Sequence, residues 1–337
     1  MKMRSAISRT ERFLIGIILV YSAIVTVVNP AFLSMETLFD LLRSSAVTMI
    51  MAAGIMMVIV SGGIDVSFTA IALFGAYVTT KLIVNSDAPW LDNLGIAFVL
   101  STAMGIGWGC FNAVLVHKFK LPAFIITLGT QNLIFGVMTT FVGSKTYGAA
   151  AIPKAFSRFA SARLFTINTD NGLVGLSCFI IPTIIVMAVT WFIMYKTKMG
   201  RSIFALGNSE SAAERIGINP FKVRLFVYAY MGALAGIAGI VYVSQVKCMY
   251  PNALVGDELS VIAAAVIGGA KLSGGQGKLL GAILGVVVVH LLNNTLIFLG
   301  LTSSWNDLFI GALMIFSVAV TCYQERVKNR KHFIFTE

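Results

Sequence analysis

The chain has 337 residues, of which 58% are hydrophobic and only 12% charged, and it carries a formal net charge of +11. A water-soluble domain of that length does not need so much apolar surface, so the composition excludes one and predicts a single compact membrane unit over residues 1–337. The positive charge reads as membrane topology and lipid contact, not as nucleic-acid binding.

A span needs about 20 apolar residues to cross about 30 Å of hydrocarbon. Ten candidate helices follow in chain order: 13–30, 44–60, 68–84, 94–117, 121–142, 172–195, 225–246, 259–270, 279–300 and 304–322. The fold class is therefore all-α and polytopic. The second and third spans are short, parted only by SGGIDVS at 61–67, and the eighth is short enough to be a half-helix. Ten spans split five and five, and an odd number per half makes any internal repeat inverted. The opening KMRSAISRTERFLIGIILVYSAIVTVV mimics a signal peptide, but its long apolar run and the lack of a small-x-small site predict an uncleaved first span. With the amino terminus inside, 18 Lys and Arg face inward and 7 outward, which predicts both termini in the cytoplasm and an inner tail from about 323 to 337.

The SGGIDVS break puts polar backbone at membrane depth. Such backbone is tolerated only inside protein or beside a water-filled cavity. Gly62 and Gly63 permit the turn, while Ser61, Asp65 and Ser67 can satisfy freed amides. Two readings stand together: a lining or gate element beside a permeation path, and a tight re-entrant turn capped by Asp65. Thr127, Thr130, Gln131 and Asn132 on the fifth span, with Asn293 and Asn294 on the ninth, suit an uncharged polyol, or else bond helix to helix. The outer loop at 143–171 carries Lys145, Lys154, Arg158 and Arg163 against Asp170 alone, which suits an acidic docking partner. Few ionisable groups lie in mid-membrane. Asp65 is in the break, His290 lies in the ninth span, and Asp257, Glu258 and Asp307 are at span edges. A carrier driven by protons or sodium needs such groups, so energy is expected from a partner outside the spans.

The polar stretch GRSIFALGNSESAAERIGINP, 200–220, lies between apolar runs and faces the cytoplasm by the charge rule. Ser209 can cap a short helix with Glu210 in its first turn, Gly217 suits a left-handed stop, and Asn219-Pro220 starts the next helix. Ala212, Ala213 and Ile216 share one face of it. A helix this short is unstable alone and must rest on its own spans or in a groove of another protein. The LSGGQ at 272–276 matches the signature of ATP-binding-cassette ATPases, with LVGDE at 254–258 like a Walker B end. No G-x-x-x-x-G-K-[ST] loop exists, the order is wrong, and both pieces lie between apolar segments, so an ATPase is excluded. The four cysteines predict no disulfide framework, and no cofactor or metal-ligand motif is present.

GRSIFALG…AAERIGI resembles the cytoplasmic coupling loop of bacterial ATP-binding-cassette importer permeases of the ribose, xylose, arabinose and galactose type. SGGIDVS, LPAFIITLGT at 121–130, LAGIAGIVYVSQ at 234–245 and GDELSVIAAAVIGGAKLSGGQGKLLGAILG at 256–285 agree with it in order along nearly the whole chain. Autoinducer-2 importer permeases are similar. The resemblance implies a non-catalytic subunit in the bacterial cytoplasmic membrane. It implies a second copy or a related permease beside it, an ATPase subunit beneath and a periplasmic or surface sugar-binding protein above. The coupling segment, about 196–224, would meet the ATPase through Gly200, Arg201, Ala205, Gly207, Ser209, Glu210, Ala212, Ala213, Gly217 and Ile218. Departures fall at Asn208-Ser209-Glu210 in place of Gly-Asn-Pro, at Phe68-Thr69 in place of Val-Gly, and at Phe135, where an Arg is common. They bear on the substrate, which is expected to be a monosaccharide, with autoinducer-2 or a polyol as alternatives. A stand-alone secondary carrier is the rival of another class.

Overall fold

A computed structural model describes residues 8–86, 88–169, 172–296 and isolated positions between 298 and 319. The tenth expected span falls largely, and the inner tail wholly, outside the described residues. The first nine spans are all present as apolar helices. They are α1 (Arg9–Val28), α2 (Met35–Val60), α3 (Phe68–Val84), α4 (Leu94–Phe119), α5 (Ala123–Val137), α7 (Ile180–Lys196), α10 (Pro220–Val246), α11 (Glu258–Ile267) and α12 (Leu279–Thr295). Between them lie the short helices α6 (Lys154–Ser161), α8 (Lys198–Asn208) and α9 (Glu210–Arg215). Among the described residues five helices are long and apolar enough to cross a membrane alone, and α7 runs into α8 through a bend of 72°.

Three expected boundaries are corrected. The second span is not short: Ser34 accepts a hydrogen bond from the Thr37 amide and starts α2 nine residues before the expected 44, so Glu36, Asp40 and Arg43 sit inside the helix. The sixth starts at Ile180 rather than 172, because Gly172–Ser177 (β2) pairs antiparallel with Arg163–Thr169 (β1). The outer segment 143–171 is thus α6 and a hairpin strand rather than an open loop. The eighth is the half-helix that was expected, ten residues and about 15 Å long.

The helices alternate between two faces. The face carrying α9 also holds the ends of α2 and α4 and the starts of α1, α5, α10 and α12. Lys278 Nζ contacts Glu11 at 3.3 Å and the His117 ring lies against Phe221 there. The hairpin meets the start of α2 on the opposite face, where Phe39 packs edge-on to Phe165. From Ser45 to Val60, α2 is buried at every position but Thr48, walled by α7, α10, α11 and α12. That explains a helix with no polar stripe.

The tightest crossing joins α4 to α10. A Cβ added at Gly105 would fall on the Gly232 carbonyl oxygen, and one at Gly232 on the Gly105 carbonyl oxygen. Gly109 meets Tyr228 and Gly236 meets Ser101 in the same way, and Ser101 Oγ donates to the Gly236 carbonyl at 2.8 Å. Apolar side chains gain little by leaving lipid for protein, so helices here are held by backbone approach and such bonds. Gly107, on the outer side of α4, has nothing within 4 Å. Gly105→Ala should therefore destabilise the detergent-solubilised protein by about 1–3 kcal/mol or more. Gly107→Ala should match or exceed the parent, and thermal unfolding followed by size-exclusion fluorescence measures both.

Candidate functional site

The break at 61–67 is held from three sides. Ser61 Oγ donates to the Val58 carbonyl at 2.7 Å, and Gly62 takes φ +88°, which a Cβ would disfavour. Asp65 Oδ1 accepts from both the Ser67 amide, at 2.8 Å, and Ser67 Oγ, at 2.7 Å. Asn112 Nδ2 on α4 donates to the same Ser67 Oγ at 2.7 Å. Thr127 Oγ1 on α5 accepts from the Val66 amide at 3.2 Å and lies within bonding distance of the Ile64 and Ala123 carbonyls. Asp65, Ser67 and Asn112 are fully buried. Behind the turn, Asp65 Oδ2, Asn112 Oδ1 and the Tyr228 hydroxyl have no partner among the described residues.

The polar segment after α7 reaches this break through backbone alone. Thr197 Oγ1 accepts from the Gly200 amide at 3.1 Å and turns the chain into α8, where any Cβ at Gly200 would strike the Met194 carbonyl. At the far end of α8, a Cβ at Gly207 would overlap the carbonyl oxygen of Val60, the last residue of α2. The glycines of LSGGQ close the joint: the Gly275 amide donates to that Val60 carbonyl at 2.9 Å, and a Cβ on Gly274 would come within 2.6 Å of the Gly207 carbonyl. LSGGQ is thus a packing loop between α11 and α12.

The capping expected for α9 is found. Ser209 Oγ accepts from the Ala212 amide at 3.3 Å, Gly217 takes φ +84°, and Asn219 Oδ1 accepts from the Lys222 amide at 3.2 Å. The Ser209 amide bonds the Ala205 carbonyl and the Ile218 amide the Ala213 carbonyl, so Ala205 and Ile218 brace the two ends. Arg201 is exposed on α8. One expectation is corrected: Ala213 is 1% exposed against its own chain, while Ala212 is open and Ile216 is 73% exposed. Ala213 therefore anchors α9, and the surface it offers outward runs through Ala212 and Ile216. Glu210 pairs with Arg224 at 2.6 Å. A cavity of about 750 Å³ lies between α9, the start of α5 and the break, bounded by Glu210, Glu214, Gly62, Gly63 and Tyr228.

The other expected pathway residues are not gathered here. Gln131 Nε2, two turns into α5, donates to Glu258 Oε1, which also accepts from Thr69 Oγ1 at 2.7 Å. Glu258 Oε2 accepts from the Gly256 amide at 2.8 Å. Glu258, the first residue of α11 as expected, is thus a buried carboxylate tying α3, α5 and α11 together. Asn132, one residue on, is exposed and its Nδ2 only bonds the Leu128 carbonyl. Asn293 and Asn294 sit on the opposite face, where Asn294 Nδ2 donates to Ser44 Oγ at 3.0 Å. His290 pairs with Thr48 Oγ1 at 2.8 Å, a packing contact between α12 and α2. Asn112, Thr69 and Glu258 were missed as members of these networks, and Tyr228 as the buried hydroxyl behind the turn. The usable signal was a lone amide or acid inside an apolar run.

Asp65→Ala leaves the buried Ser67 amide and hydroxyl without their acceptor, a cost of about 1–3 kcal/mol. It should lower both the folded yield and transport. Asp65→Asn keeps Oδ1 as an acceptor and should restore most of the yield, as read by membrane level and monodispersity.

The family model described as the permease component of branched-chain amino acid transport systems matches residues 37–318. The ribose import permease protein RbsC of Escherichia coli K12 is 33% identical over 306 residues, covering 90% of this chain and 91% of that one. RbsC of Haemophilus influenzae is 34% identical over 306 residues, covering 90% of each chain. The autoinducer 2 import system permease LsrC of Yersinia enterocolitica is 30% identical over 324 residues, covering 95% of this chain and 86% of that one. No solved structure matches. A break braced from α4 and α5, the end of the polar helix α8 packed against it and these relatives along nine-tenths of the chain agree: the protein belongs to the multi-pass membrane permease family of ATP-binding-cassette import systems.

Proposed function

We propose that this chain is the permease through which a neutral monosaccharide enters the bacterial cell. Residues 1–337 act as one unit in the cytoplasmic membrane with both termini inside. The sugar is delivered by an extracytoplasmic binding protein, and ATP is hydrolysed by a separate subunit seated under α8 and α9. A second permease copy or a related permease completes the pathway. The observation that carries this reading is the backbone joint between Gly207, Val60 and Gly275, which couples the polar helices to the broken pair α2–α3. A pull or push on α9 has no soft side chain in which to dissipate before it reaches the break. The ribose permeases among the relatives support the sugar, and the LsrC relatives keep autoinducer-2 or a related polyol as the second reading. Gly200, Gly207 and Gly217 shape the coupling segment, Ser209, Ala205 and Ile218 brace it, and Arg201, Glu210, Ala212 and Ile216 face the ATPase.

Contact residues at such a surface cost about 2 kcal/mol or more when disrupted, roughly 30-fold in affinity. Ile216→Asp should leave the membrane level normal but abolish co-purification of the ATPase and ATP-dependent uptake. Ala213→Asp buries a charge inside the chain itself and should instead lower the folded yield. An Ile216→Asp protein that keeps its ATPase and transports at the parental rate would sink the coupling assignment. Uptake that survives ATP depletion would point to a secondary carrier.

On the opposite face, Lys154 and Arg158 project from α6, while Arg163 Nη1 is partly spent on the Ala160 and Ala162 carbonyls. Reversing all three to Glu should weaken capture of an acidic binding protein most strongly at low ionic strength. Equal affinity at low salt rules this docking site out.

A further inference from the structure

A cleft of about 710 Å³ runs between α7 and the starts of α1 and α12. Met49 of α2 forms its floor. Ile180, Ile184, Met187 and Trp191, three or four residues apart, make the α7 wall, and Ile283 stands on α12. From Ile180 to Tyr195 the cleft extends about 22 Å, longer than half of a hydrocarbon core of about 30 Å.

Its mouth, on the face that carries α9, has a different chemistry. The Tyr195 hydroxyl accepts from the Leu279 amide at 3.0 Å and ties the end of α7 to the start of α12. Lys278, one residue earlier, is exposed. Its Nζ has buried Glu11 as its one partner among the described residues, at 3.3 Å, and an ammonium carries three donors. Lys196 is exposed too, with Nζ 5.2 Å from the centre of the Trp191 ring. A long apolar trough therefore ends in two lysines and the rings of Trp191 and Tyr195. Trp and Tyr favour the headgroup level of a membrane.

An acyl chain fits such a trough, but it gains little by leaving other lipid for protein. The headgroup must decide which lipid stays. A lysine near the membrane surface favours an anionic headgroup about fivefold. Phosphatidylcholine carries the same phosphate beside its own cation and loses that advantage.

We infer that this cleft is a binding site for one anionic phospholipid, with an acyl chain along α7 and its phosphate at Lys196 and Lys278. A lipid held there braces α7 against α1 and α12, and α7 runs directly into α8 through the 72° bend. The site thus bears on the segment that would meet the ATPase. The reading of the α9 face as cytoplasmic only names the leaflet, the inner one.

Trp191 can report occupancy once Trp90, Trp108 and Trp305 are replaced by Phe. In phosphatidylcholine nanodiscs, brominated phosphatidylglycerol should quench this full-length protein at a mole fraction at least fivefold below that needed by brominated phosphatidylcholine. Lys196→Gln should shrink the preference severalfold, and high salt should do the same. Lys278→Gln should act alike. If it does not fold, because Glu11 loses its partner, Lys196→Gln decides alone. Ala188→Phe, at an exposed position inside the cleft, should obstruct the chain and abolish the preference at a normal membrane level. Val189→Phe, exposed beside it and outside the cleft, should leave the preference intact. Equal quenching by the two lipids makes the cleft ordinary lipid-facing surface and overturns the site. A preference that survives Lys196→Gln or Ala188→Phe overturns it as well. Quenching by neither lipid means that protein fills the cleft, and loss of a dimer in Ala188→Phe, read by light scattering, would give it to a second copy. None of these outcomes touches the permease reading, which sugar uptake tests separately.

Discussion

The unpaired amides of residues 61–67 are the constraint on which the rest of the structure turns. Inside hydrocarbon a broken helix has no water to complete its hydrogen bonds. Here the completion comes from side chains: the Asp65 carboxylate serves Ser67, and Thr127 serves Val66. Because Thr127 belongs to α5 and Asn112 to α4, satisfying the break also fixes where those helices stand. The glycine contacts of α4 then position α10, and the first residues of α10 receive the chain from α9.

The joint on the α9 face is unusual in having almost no side chains. Val60, Gly207, Gly274 and Gly275 touch through backbone atoms, and Asn208 reaches the Gly275 carbonyl at 3.5 Å. Side chains with many rotamers absorb displacement by rearranging, whereas backbone in contact transmits it. Sequence segments more than sixty residues apart therefore behave here as one hard corner. The same contacts explain the ATPase-like LSGGQ string. Gly274 is required by the Gly207 carbonyl and Gly275 by its positive φ and the Asn208 side chain against it.

Local signals were legible in the sequence and distant pairings were not. Ser209, Gly217 and Asn219 announce caps and a stop because the competing structures are decided within four residues. The half-helix α11 and the Gly-rich break could be read from length and composition. The burial of Ala213 rather than Ala212 could not. Neighbouring positions on a helix differ by about 100°, and only the tertiary seat of α9 decides which one turns inward. The Thr69–Glu258 bond joins residues 189 apart, so the acid's place at the start of α11 was legible while its buried partners were not. The hairpin was hidden for another reason. Gly172–Ser177 runs without a polar interruption into the apolar start of α7, and hydropathy merges the two.

The way the chain enters α11 has a consequence for what surrounds the protein. Between Lys247, at the end of α10, and Glu258 the chain descends as successive turns, closed by Ala253 on Tyr250, Val255 on Asn252 and Asp257 on Leu254. These are short i-to-i+3 bonds, and Asn252, Val255, Gly256 and Asp257 remain exposed. Acyl chains cannot solvate such peptide groups. Hydrocarbon cannot cover this seam, so where it lies at membrane depth it must face protein or water.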